Sequence, residues 1–432
     1  MTKTGLGGVY MSSYQEKISR VRAQLASEGA AGAMLSTPDN IFYATGFSSV
    51  MDGWHLVEPI AAVFVPTDTA SPVILILPEA SVISPIVSER GGHAVHFDRL
   101  ATFDMLNFCE TARAEDAHLA LPKDLLAELG GVMELVEGQC EPDIIRTIAA
   151  SLSRHVAQDE LILFDDLRVA ARVEALTGQA SGDALDVMFS ARAVKTDDEL
   201  DILRESGQIA DAIMAYTISQ LGVGKSWGEV EKQVAHFMID HDVDPLPGSP
   251  MLFGGAYDLV FRPDLFRTPV SRPFEGGEIA ILETQGRYKN FWIDINRTAH
   301  IGPATPAYRD QFNAVRDIFE TISTRLAPGV NTAEICAFHE IPAARRLDPP
   351  EKLLVVAHSL GLVPLESPVK YPGTGFHGAK EGFTVEQGMV ISIDCLYFGS
   401  GLGPSHMENV FIVNDSGTEP LYRFPLDLAE TA

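Results

Sequence analysis

Cysteine is scarce in this chain. Four occur in 432 residues, at positions 109, 140, 336 and 395, with no close pair and no Cys-x-x-Cys spacing. That is not the usage of a disulfide framework; reduced thiols in a cytoplasm are the simplest account. Cations are also few: 32 Lys and Arg face 59 Asp and Glu, for a formal net charge of −27. Such a surface repels nucleic acid and offers no basic patch to a membrane, so neither is an expected partner. No apolar run reaches the roughly 20 residues that a membrane span needs. The N-terminal stretch "MTKTGLGGVYMSSYQEK" lacks the apolar core of a signal peptide. Internal repeats and low-complexity tracts are absent too. What remains is globular, 46% hydrophobic and 21% charged, and long enough for two domains.

The patterning changes character along the chain. Residues 14–28 read as a helix with Tyr14, Ile18, Val21 and Leu25 on one face. Short apolar runs follow, "GAMLS", "AAVFVP", "VILILP", "AVHF" and "LALP", separated by turn or helical segments, and predict an α/β domain over residues 1–185. A second domain over 186–432 opens with the amphipathic "TDDELDILRESGQIADAIMAYTIS". Ser226 and Glu229 have the spacing of a capping box. Thr305-Pro306 predicts another helix start, with Tyr308, Phe312, Val315, Phe319 and Ile322 toward a core.

Five side chains capable of holding a metal stand in or beside strand-like runs of this second domain: Glu283, Asp294, His358, Asp394 and Glu408. Strands alternate their faces, so a polar residue inside an apolar strand points inward only if something there satisfies it. Four carboxylates and an imidazole form a hard, oxygen-rich set, suited to one or two divalent Fe, Mn, Zn or Co ions. Two carboxylates can bridge a pair of such ions.

These positions, in this order, resemble the pita-bread superfamily of creatinase, prolidase, aminopeptidase P and methionine aminopeptidase. The resemblance is carried by "ARAVKTDDELDILRES", "RTPVSRPFEGGEIAILE", "NFWIDINRTAHIGPAT", "APGVNTAEI", "HSLGLVPLESP" and "EQGMVISIDCLYF", spanning roughly residues 190–415. "STPDNIFYATGF" resembles the creatinase-type N-terminal domain. The fold implied is a creatinase-like α/β domain followed by an α+β pita-bread domain with a curved antiparallel sheet; a homodimer is implied as well. The family's ligand order is Asp, Asp, His, Glu, Glu, so Glu283 and Asp394 each depart by one methylene, while Asp294 and Glu408 keep the bridging positions. Two histidines of the family's hydrolases are replaced, by Phe266 and by Leu365, and His406 stands where an arginine is frequent. Those imidazoles hold the scissile carbonyl or move protons, which Phe and Leu cannot do.

The resemblance also places a pocket. Phe261, Phe266, Trp292 and Leu365 are candidates for its wall, with Tyr257 beside them; Trp54 lies where creatinase-like N-terminal domains reach toward a neighbouring subunit's site. Aromatic faces attract an onium headgroup. One reading is therefore a lyase, similar to relatives of this fold that eliminate dimethyl sulfide from dimethylsulfoniopropionate, with Tyr257, Asp258, Glu366, Tyr371 or Tyr397 as base. Glu366 is equally placed to support the site from behind. The alternative is a dimetal hydrolase of a small amide or dipeptide, with Asp394 taking a proton and His377 or His406 replacing the lost histidines. A third reading is a binding protein without activity, against which the retention of all five positions speaks. In each case the partner is a small molecule.

Overall fold

A computed structural model describes residues 6–49, 51–54, 58–105, 122–246, 251–255, 272–368, 382–398, 401–415 and 417–431. The chain divides into two compact units, Met1–Ala191 and Arg192–Ala432. In the first, helix α1 (Leu6–Ser27), strand β1 (Gly32–Leu35), helix α2 (Pro38–Thr45), strands β2 (Ala62–Pro66) and β3 (Ile74–Pro78), helix α3 (Ser84–Arg90) and strand β4 (Arg99–Phe103) come first. Helices α4 (Lys123–Met133) and α5 (Ile144–His155), strand β5 (Ile162–Phe164), helix α6 (Leu167–Thr177), strand β6 (Ser181–Asp183) and helix α7 (Leu185–Ala193) follow. The strands form one mixed sheet in the order β4-β3-β2-β1-β5-β6. β1, β2 and β3 are buried at every position. That is why they read as unbroken apolar runs: both sheet faces are covered. Met34, Phe64, Ile76, Ile148, Phe164 and Val173 belong to one buried cluster.

The sequence places a strand at "AVHF", but the structure puts it at Arg99–Phe103, parallel to β3. His96 is drawn instead onto Tyr14 of α1, ring centroids 4.5 Å apart. The run "LALP" falls almost wholly outside the described residues.

The second unit opens with helices α8 (Asp197–Gln220) and α9 (Trp227–Ile239). Strands β7 (Val243–Pro245), β8 (Met251–Gly255), β9 (Ile279–Tyr288) and β10 (Phe291–His300) lead to helices α10 (Pro306–Ser323) and α11 (Thr332–Ile335). Strands β11 (Leu353–Ser359), β12 (Val390–Tyr397), β13 (Ser405–Asn414), β14 (Gly417–Pro420) and β15 (Ala429–Glu430) close the unit. One sheet runs β15-β10-β9-β7 with β8 also on β9; the other, antiparallel throughout, runs β11-β12-β13-β14. The helices start where their local chemistry directs. Thr196 with Glu199, and Ser226 with Glu229, close capping boxes on α8 and α9. The Thr305 hydroxyl accepts from Tyr308 N, and Pro306 occupies the first turn of α10. The apolar face of α10, Tyr308, Phe312, Val315, Phe319 and Ile322, is buried in the main core of this unit.

The two sheets meet along β10 and β13 through side chains. The Thr298 hydroxyl donates to His406 O at 2.7 Å and accepts from His406 N at 2.8 Å. Next to it, Arg297 is 2% exposed. Its guanidinium donates to the carbonyls of Asn296, Glu408, Phe424 and Pro425 at 2.6–2.9 Å. The C-terminal turn is tied in turn to α8, where Asp211 accepts from the backbone of Arg423 and Phe424. α8 approaches closely enough there that a Cβ on Gly207 would stand 2.4 Å from Leu421 O.

Candidate metal centre

The first half of the site comes from the β9–β10 hairpin. Its two-residue loop, Lys289 and Asn290, has positive φ at both positions, 49° and 70°. That is the geometry of a primed turn, whose twist matches the strands it joins. The turn sets the register, pairing Gln285 with Asp294 and Glu283 with Asn296. These four polar side chains therefore share one face; a slip of one residue would turn them all away. Gln285 Nε2 donates to Glu283 Oε1 at 3.0 Å and to Asp294 Oδ1 at 3.2 Å. Asn296 Nδ2 donates to Glu283 Oε2 at 3.3 Å.

The second half comes from β11, β12 and β13. Asp394 lies directly opposite Glu408, with Val356 on its other side, and His358 pairs with Ser392. Like charges opposite one another on a sheet repel, so Asp394 and Glu408 need partners. His358 Nε2 is 3.2 Å from Asp394 Oδ2, and His406 Nε2 is 3.1 Å from Asp394 Oδ1. The Ser392 hydroxyl donates to Glu408 Oε1 at 2.6 Å. His358 Nδ1 faces Ser359 O at 3.3 Å, a contact that keeps a proton on Nδ1 and turns Nε2 to the site.

Electrostatics divide the acids. Burial pushes Asp294 well above the usual carboxylate range, and the charge of Glu283 adds to it. Glu408 is pushed well up by burial and then by Asp294 and Asp394. Glu283 is raised, chiefly by burial. Burial acts on Asp394 as well, but its hydrogen bonds from His358 and His406 outweigh it and hold the group at about 2. Burial alone would lower His358; contact with Asp394 raises it instead. Ligand atoms of Asp294, His358 and Glu408 all lie within 4.8 Å of one another. A divalent cation fits this set. Its charge offsets the burial, and the repulsion added to it, that raise Asp294 and Glu408, and two oxygens with an imidazole suit Mn, Fe, Zn or Co.

The other candidates divide by position. Glu366 is 1% exposed. Its carboxylate is ion-paired with Lys195 through Oε1 and with Arg192, 3.1 Å away, through Oε2. A carboxylate held between two buried cations is a structural anchor for the loop after β11, not a free base. A Cβ on Gly361 would meet that carboxylate at 1.9 Å, so only glycine fits beside it. His406 holds Asp394 rather than standing free. Trp292 lies two residues before Asp294 on the same strand face, with Arg287 5.4 Å over its ring. Leu365 is half-buried beside Glu366. Tyr397, at the end of β12, is fully buried in the core. Trp54 ends a short helical turn, Asp52–Trp54, in the first unit. Tyr257, Asp258, Phe261, Phe266, Tyr371 and His377 lie outside the described residues.

Sequence reasoning missed Gln285, Arg297 and the Arg192–Lys195 pair. Gln285 carried a signal, since it sits two residues from Glu283 and therefore on the same face. Arg297 carried one too, a lone cation within "FWIDINRTAHIG". The pairing of Lys195 with a residue 171 positions away left none.

The chain is similar to known proteins. Residues 201–415 match metallopeptidase family M24. An uncharacterized peptidase of Staphylococcus saprophyticus is 22% identical over 94% of this chain and 98% of its own. The solved Xaa-Pro dipeptidase of Bacillus anthracis superposes with a TM-score of 0.71 at 18% identity, covering 97% of this chain and 100% of its own. The dipeptidase PepE of Mycobacterium ulcerans gives a TM-score of 0.68 at 18% identity, covering 97% and 98%. At such identities the structural likeness establishes a shared fold. The matched family is one of peptidases, which favours the hydrolase alternative over the lyase that the sequence put first. Among the described residues no helix is long and apolar enough to cross a membrane.

Proposed function

We propose that this chain, whose residues 201–415 match metallopeptidase family M24 and which shares the fold of the solved Xaa-Pro dipeptidase, is a metal-dependent hydrolase of a short peptide or small amide. The observation that carries this reading is the buried convergence of Asp294, His358 and Glu408 beside an Asp394 held by His406. Asp294, His358 and Glu408 are the side chains to hold a divalent ion, with Glu283 and Asp394 flanking them. Bound there, such an ion supplies Lewis acidity toward a carbonyl and acidifies water.

The protein's own groups do the rest. Asp394 is the acid kept ionised against its burial, so it is available to orient an attacking water by accepting its hydrogen bond. His406 aims that carboxylate through Oδ1. The Ser392 hydroxyl fixes Glu408, and Ser359 O fixes the ring of His358, so the donor atoms are oriented before substrate arrives. Trp292, close to Asp294 on the same face, is positioned to wall the substrate side.

The test is an assay of Mn-loaded protein on a panel of dipeptides and small amides, with dimethylsulfoniopropionate alongside. New amine should appear and should vanish in His358→Ala and after chelation. Release of dimethyl sulfide without amine would return the lyase reading.

A further inference from the structure

Glu283 differs from the other acids of the site in what surrounds it. Each of its oxygens already accepts from a neutral amide: Oε1 from Gln285 at 3.0 Å and Oε2 from Asn296 at 3.3 Å. The Gln285 nitrogen also reaches Asp294 Oδ1 at 3.2 Å, so one amide bonds both carboxylates of the hairpin. The primed turn imposes this arrangement by setting Gln285 directly across from Asp294. Among the described residues, the ligand-type side chains whose donor atoms close to within 4.8 Å of one another are Asp294, His358 and Glu408, a group that does not include Glu283.

We infer that this chain holds a single divalent ion, on Asp294, His358 and Glu408, and that the Gln285 amide takes the place of a second ion between Glu283 and Asp294. The inference rests on the metallohydrolase reading above. An ion shared by Glu283 and Asp294 would compete with an amide already bonded to both. A neutral amide supplies directed N–H donors to buried carboxylates without bringing charge. It therefore satisfies Glu283 while leaving the relief of Asp294 and Glu408 to the one ion. The same contacts make Gln285 a positioning residue for Asp294, which belongs to both groups.

Metal content and affinity test this without reference to turnover. Protein equilibrated with Mn(II) and gel-filtered is analysed for bound metal, and affinity is followed by titration of the metal-free form. Wild type should retain one equivalent. Gln285→Ala should gain a second, bound at least about tenfold more tightly than any second ion in wild type, the scale on which groups behind metal ligands act. Glu283→Gln, nearly isosteric, should keep the one equivalent with little change in affinity. Two equivalents of similar affinity in wild type would overturn the single-ion inference and leave the hydrolase reading standing. So would loss of the one equivalent in Glu283→Gln, or a Gln285→Ala variant that stays at one. No bound metal in wild type would overturn both.

Discussion

Replacing Arg297 with Met tests whether the two sheets of the second unit are held together as described. The guanidinium donates to four backbone carbonyls, one in Asn296, one in Glu408 and two in the C-terminal turn, and it has no solvent exposure to speak of. Its burial brings the pKa down to about 10. At about 1.4 kcal/mol per tenfold, that drop from the ordinary arginine value is roughly 3 kcal/mol set against the charged state. Hydrogen bonds from a charged donor contribute about 1.5–3 kcal/mol each, so four of them outweigh that cost. Met fills much of the volume but leaves those carbonyls buried without donors. Leaving a buried acceptor unsatisfied costs about 1–3 kcal/mol, so with four acceptors affected Arg297→Met should lose at least about 3 kcal/mol. Arg297→Lys should recover only part, because an ammonium cannot span four acceptors as the planar fork does. Urea unfolding of metal-loaded wild type and both variants measures this. A loss below about 1 kcal/mol in Arg297→Met would refute the role given to Arg297.

Two further outcomes follow from the buried acids. In His406→Gln, Asp394 loses one of the two contacts that hold it at about 2, so its pKa should rise and the acid limb of kcat/KM should move up by on the order of one pH unit; an unmoved limb would remove His406 from Asp394's support. Metal removal should reverse a pH trend. Asp294 and Glu408 are raised in the folded state, so in metal-free protein their contribution is fully present below the unfolded carboxylate pKa of about 4 and is lost as pH climbs through their folded values. Metal competes with those same protons. The Tm gain on adding Mn(II) should therefore widen from pH 5 to pH 8, and parallel melting curves would contradict the charge distribution described here.

Much of this molecule is written locally. Capping at Thr196, Ser226 and Thr305 depends on residues three apart, and the apolar face of α10 on a period of 3.6, so both are visible in the bare chain. The buried strands of the first unit announce themselves as apolar runs, though the run at "AVHF" lies outside the strand at Arg99–Phe103, where His96 stacks on Tyr14 and donates its backbone N–H to Thr45 O. Acids inside apolar strands pointed to an ion before any fold was known. A sequence also carries strand alternation, and so it shows which residues can share a face with Glu283.

Tertiary structure decided what those acids are. Whether a carboxylate is a base, a ligand or a structural anchor depends on neighbours that lie far away in the chain. Glu366 became an anchor because Lys195 and Arg192 fold against it. Asp394 stays ionised because His358 and His406 arrive from strands on either side of it. Gln285 bridges two acids because a two-residue turn sets the register across the hairpin. Composition and periodicity determined that this chain has buried charge in strands. The pairing of strands determined its protonation, because Coulomb interactions and desolvation depend on distance in space and not on separation along the chain.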